Sequence, residues 1–113
     1  MSQIRSDLWC AAFVRRHNDL GHFCVVARKG DPIAGQVFIE IDHLNGKVSL
    51  LTPAPALSRS DDGTDRVFVR RLDQTEPDKV RERIAREAEF DPDLWVLTVE
   101  MRGGDPGVTV VGG

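Results

Sequence analysis

The sequence predicts an α+β domain: an antiparallel sheet of about five strands with two helices packed on one face, in the chain order α-β-β-β-β-α-β. Three observations lead there. A helical apolar stripe opens the chain, a series of short β-rich runs separated by turn residues follows, and a second helical pattern precedes a last apolar run.

In SDLWCAAFVRRHNDLG, residues 6 to 21, Ser6 stands where a cap belongs, Asp7 lies in the first turn and Gly21 is a stop. This spacing predicts a helix of about 14 residues, with Trp9, Cys10, Phe13, Val14 and Leu20 on its core stripe. HFCVVARK (22–29) and QVFIEID (36–42) are rich in β-branched and aromatic residues, and Val37, Ile39 and Ile41 alternate, so both read as strands. Asn45-Gly46 is a type I′ hairpin signal, returned by KVSLLT (47–52).

A two-residue Asn45-Gly46 loop pairs His43 with Val48 and Ile41 with Leu50. The register one residue away, with Glu40 opposite Leu50, is set aside because it breaks the apolar face. A hairpin with Lys29 opposite Gln36 sets Val26 against Ile39, Cys24 against Ile41 and His22 against His43. Its connection, GDPIAG (30–35), stands between two strands. Phosphate loops stand between a strand and a helix N-terminus, so this stretch reads as a turn around Asp31-Pro32, with Gly30 and Gly35 supplying unusual backbone dihedrals.

TPAPALSRSDDGTD (52–65) gathers loop formers and reads as an exposed, mobile loop. RVFVRRLD (66–73) is a fourth strand with Val67 and Val69 on one face and Phe68 and Leu72 on the other. Thr75, with Asp78 three residues on, caps a helix to about Glu89, in which Pro77 is tolerated and Val80, Ile84 and Ala88 form the seam. In FDPDLWVLTVEM (90–101), Pro92 ends the helix and a strand follows. Trp95, Leu97, Val99 and Met101 point one way, and Val96, Thr98 and Glu100 the other. Residues 1–102 form the domain and 103–113 a glycine-rich tail, in which Val108–Val111 makes at most a short edge strand.

A chain of 113 residues suits one domain. Fifteen Lys and Arg against eighteen Asp and Glu leave a net charge of −3, which speaks against nucleic acid as a partner. No apolar run is long enough for a signal sequence or a membrane span, so a cytoplasmic place and no membrane partner are expected. Cys10 and Cys24 form no CxxC pair, read as reduced half-buried thiols, and no cofactor is expected.

The blocks SDLWCAAFVRRHN, RKGDPIAG and FDPDLWV, in this order, resemble those of an uncharacterised bacterial family of about 110-residue proteins, a domain of unknown function, from about Ile4 to Glu100. The resemblance implies a shared fold and transfers no activity, cofactor or site residue.

The residues themselves offer three constellations. His22, Cys24 and His43 would cluster at one end of the sheet and could hold a metal or pair a thiolate with a base, though a closed zinc site needs a fourth ligand. Asp91, Asp93 and Glu100 could form an acid and base pair, but a helix stop and a turn explain the first two. Arg66, Arg70 and Arg71 with Arg28 and Lys29 could make an anion-binding edge, though alternating arginines commonly cover the wet side of a sheet. With both helices on one face, Phe23, Val25, Phe38 and Leu51 share the other as an apolar patch. The expected function is therefore a non-enzymatic interaction module, a homodimer or the binder of a protein partner. The alternative is a small enzyme or a ligand or metal binder at the His22/His43 end.

Overall fold

The computed structural model describes residues 4–55 and 66–112, in which six strands form one mixed sheet between two helices. The chain runs α1 (Ser6–Asp19), β1 (Phe23–Arg28), β2 (Val37–Asp42), β3 (Val48–Pro53), β4 (Val67–Thr75), α2 (Pro77–Phe90), β5 (Trp95–Glu100) and β6 (Thr109–Val110). The α+β class and the element order hold, and a short sixth strand is added. Residues 56–65 of the expected mobile loop lie outside the described residues.

The strand order is β1-β5-β2-β3-β4-β6, so the wholly antiparallel sheet is corrected: β5 runs parallel to β2, and β6 parallel to β4. β5 lies between β1 and β2 and abolishes the hairpin expected there. Cys24 pairs with Val99 rather than Ile41, and Val26 with Leu97 rather than Ile39. The physical reason lies in burial. β5 is apolar on both faces and belongs at the centre, whereas Phe23, Val25 and Val26 of β1 are exposed, as an edge tolerates.

The GDPIAG stretch is therefore a crossover past the start of β5. It holds that start and the start of α1 together. Asp31 N–H donates to the Asp93 carbonyl at 2.9 Å, and the Trp95 indole donates to the Asp31 carbonyl at 2.7 Å. Ser6 and Asp7 donate their N–H groups to the carbonyls of Ile33 and Pro32, at 3.2 and 2.9 Å. The loop thus caps the helix that Ser6 was expected to cap. Ser6 itself is fully buried, and its hydroxyl donates to the Gly35 carbonyl at 2.5 Å. Neither Gly30 nor Gly35 adopts a positive φ. They are needed for close approach, because a Cβ on either would collide with the Asp93 carbonyl.

The β2–β3 hairpin takes the register that the sequence argued against: Glu40 pairs with Leu50, Ile41 with Ser49 and Asp42 with Val48. Its loop has three residues rather than two. His43 N–H donates to the Lys47 carbonyl at 3.1 Å, and positive φ falls on Leu44 (62°) and Gly46 (86°), not on Asn45. Asn45 instead accepts from Lys47 N–H through its side chain at 3.0 Å. Gly46→Val puts a β-branched residue at positive φ and is expected to lower stability by about 1 to 2 kcal/mol, read by chemical denaturation. Gly46→Asn, which tolerates that φ, should restore most of the loss.

The one-residue change in register turns β3 over. Leu51 then joins Ile39, Ile41, Leu97 and Val99 under α1, while Leu50 joins Phe38, Val48 and Val96 under α2. The two helices accordingly cover opposite faces of the sheet, not one. α2 is the crossover between β4 and β5, and it packs Val80, Ile84 and Ala88 on β3 and β4. Its N-cap is Glu76, since Thr75 is the last residue of β4. On β4 a register shift between Leu50 and Leu51 places Phe68 in the α1 layer and Leu72 in the α2 layer, so the two do not share a face as expected. On α1, His17 is buried at 1% exposure while Leu20 is 65% exposed, so the stripe ends on His17. β6 extends the sheet beyond β4, and Val108 and Val110 pack against the α1 layer.

Candidate functional site

His22, Cys24 and His43 do lie at the same end of the sheet, but the strand order keeps them from forming one cluster. His22 meets His17: their Nδ1 atoms are 2.9 Å apart, and His17 Nε2 lies 2.7 Å from the Pro106 carbonyl. A carbonyl only accepts, so His17 Nε2 carries a proton. Neutral His17 then has a bare Nδ1, which accepts from Nδ1–H of His22. Burial holds His17 below its ordinary pKa, partly offset by the Pro106 bond, while the charges of His22 and Arg16 push the same way as burial.

Cys24 is 2% exposed, beneath α1, and burial raises its thiol to about 11. Burial also raises Cys10, to about 12. Neither thiol offers a thiolate at neutral pH, which removes the nucleophile from the expected constellation. Among the described residues no three His, Cys, Asp or Glu side chains form a group able to hold a metal ion.

His43 belongs to a second arrangement. Its Nε2 lies 2.8 Å from Ser49 Oγ, which also accepts from Gln74 N–H at 2.9 Å and lies 3.4 Å from Asp73 Oδ1. Asp73 and Gln74 both face Ser49 because β4 bulges there, with Val48 opposite Thr75 and Leu50 opposite Leu72. Gln74 takes a φ of 46°, held by the bond to Ser49. Serine, histidine and aspartate in contact suggest acyl transfer, but Ser49 has no exposed surface, so no substrate carbonyl can reach its oxygen. The cluster instead fixes the ring of the half-buried His43.

Beside it a cleft of about 320 Å³ opens between the end of β2, β4 and the segment after β5. Buried Ile41 and Met101 floor it, and His43, Arg70, Asp73 and Arg102 line its sides. Pro106 closes it, so the carbonyl held by His17 belongs to the wall of the His43 cleft.

The other sequence candidates separate. Asp93 N–H donates to the Asp91 side chain at 3.2 Å in the turn before β5, and Glu100 ends that strand. Arg28 donates to the Pro92 carbonyl, and Arg66 to the Ile4 carbonyl and Ser6 Oγ. Three strands lie between β1 and β4, so no common arginine edge forms. Of the apolar patch, Phe38 and Leu51 are buried at 3% and 0%, in opposite layers, while Phe23 and Val25 remain exposed at 59% and 38%. Those two stand on the α2 side of β1, where α2, packed over β3 and β4, leaves the sheet open.

Sequence reading overlooked His17 and Ser49. The i, i+3, i+7 spacing of Cys10, Phe13 and His17 was available as a signal. Nothing local marks Ser49.

The chain matches the family model described as protein of unknown function (DUF1491) over residues 4–109. It is similar to the crystal structure of a DUF1491 family protein from Caulobacter crescentus CB15, with a TM-score of 0.78 and 31% identity over 96% of this chain and 98% of that one. The solution structure of a protein from A. tumefaciens is similar at a TM-score of 0.83 and 30% identity, over 97% and 96% of the two chains. No curated protein matches the chain.

Proposed function

The chain belongs to the DUF1491 family, whose function is unknown, and since that membership brings no activity with it we propose on the geometry that the protein is an interaction module. The observation that carries this reading is the open half of the α2 face. Phe23 and Val25 are exposed there, and the sheet register sets Phe23 in a row with Glu100 and Asp42, and Val25 in a row with Thr98 and Glu40. The open strands β1, β5 and β2 span about 10 Å, the width of one helix beside α2.

Two apolar side chains among Glu40, Asp42 and Glu100 fit a basic amphipathic helix of a partner protein. Against a second copy of the same face, these carboxylates would oppose their own kind. The exposed edge of β1 is a poorer docking place. The Asn18 side chain bonds both the N–H and the C=O of Cys24 at 3.0 Å, occupying the outer edge that strand addition would need.

NMR titration with an amphipathic Leu/Lys helical peptide, against its Leu/Glu counterpart, tests this. The Lys peptide is expected to shift the amides of residues 23–26 and 98–100, and Glu100→Lys to weaken it about tenfold. Equal response to both peptides, or none, overturns the reading. A dimer mass in light scattering that Phe23→Glu abolishes would give the face to a second copy instead.

A further inference from the structure

We infer that the cleft beside His43 is a binding site for a small organic monocarboxylate with a short apolar stem. The cleft is set apart from the open α2 face: its floor residues Ile41 and Met101 belong to the α1 layer. Arg70 enters from β4 and Arg102 from the segment after β5. Among the described residues neither guanidinium donates a hydrogen bond. Arg102 has no ion pair there, and Arg70 has only Asp73, at 3.8 Å. Two planar donor forks border an apolar floor, and a guanidinium fork matches the two oxygens of a carboxylate.

The charge of the lining selects the class. Arg70 and Arg102 face one aspartate, Asp73, which leaves about one positive charge for the occupant. That balance suits a singly charged anion better than a phosphate dianion. The volume of about 320 Å³ stands at the lower end of small-molecule sites, so the stem is short. The surrounding backbone is held for the purpose. Gln74 is pinned at positive φ by Ser49, His43 is oriented by the same hydroxyl, and Pro106 is tied back by His17.

Amide shifts in the full chain, titrated separately with hexanoate, hexanol and inorganic phosphate, form the experiment. Hexanoate is expected to move the amides of Gln74, Gly103 and Gly104 in a saturable way at millimolar concentration. Hexanol and phosphate should be markedly weaker. Arg102→Gln and Arg70→Gln should each weaken hexanoate about tenfold, the loss expected for one charge-assisted hydrogen bond, with the rest of the spectrum unchanged. No saturable hexanoate shift, hexanol binding as well as hexanoate, phosphate binding more tightly, or both variants retaining parent affinity would each overturn the assignment.

Discussion

Gly35→Ala and Gly30→Ala are expected to melt far below the parent, although each adds a single methyl group to a loop. At both positions the new Cβ would be driven into the Asp93 carbonyl. At Gly35 it would also lie 2.8 Å from Cδ1 of Trp95 and 2.9 Å from the Asp31 carbonyl oxygen. These obstacles are mostly backbone, fixed by the Asp31–Asp93 bond and by the pairing of β5 with both its neighbours, so no side chain can rotate away. Relief requires moving the crossover, and with it the carbonyls of Pro32 and Ile33 that cap α1. Overpacking of this kind costs about 3 kcal/mol, which in a domain of this size lowers the melting temperature by roughly 12 to 20 °C. Gly103→Ala is the control, because a Cβ there meets nothing within 4 Å and the φ is not positive. A parent-like melt for both loop variants would show that the crossover does not approach β5 closely.

The same loop shows which information was local. The presence and order of α1, α2 and the five long strands and the alternation of Trp95, Leu97, Val99 and Met101 all follow from residues near one another in sequence, and all were legible, though both helix caps fell one residue from where the cap signals stood. Strand neighbours were not, because pairing is decided by what the whole sheet must bury. Register failed for a definite reason. Alternation specifies register when one face is wet, but β2 and β3 are buried on both faces, so either register of the Asn45-Gly46 hairpin left apolar residues opposite apolar residues somewhere. The single slip then inverted β3. Combined with one helix on each face, it converted half of the expected apolar patch into core: Leu51 faces α1 and Phe38 faces α2. At the candidate site, the end of the sheet carrying His22 and His43 was legible. Their actual partners, His17 and Ser49, stand only five and six residues away in sequence, but the turn after α1 and the register of the β2–β3 hairpin decide that they meet.

His17 makes stability depend on pH. It is 1% exposed, packs against Phe13 with tilted rings whose centroids are 4.4 Å apart, and is held neutral in the folded chain mainly by burial. The unfolded chain protonates His17 near its ordinary 6.5, whereas the folded chain does so only at lower pH. Above 6.5 the residue is neutral in both states and contributes no pH dependence. Below it, the unfolded state binds a proton that the folded state refuses. Stability therefore falls as pH drops, by about 1.4 kcal/mol per unit until the folded pKa is reached. Denaturation curves should show a plateau above about pH 7 and a decline that sets in below about 6.5, above the range in which most carboxylates titrate. His17→Phe keeps the packing on Phe13 but removes the donor to Pro106 and the acceptor for His22. At pH 8 the variant is expected to be less stable by about 1 to 3 kcal/mol, the cost of leaving a buried carbonyl unpaired. Its decline toward pH 5 should be shallower, so the two curves converge on the acid side. Parallel curves would show that His17 takes up its proton equally in both states, and that the pair with His22 does not exclude a second charge.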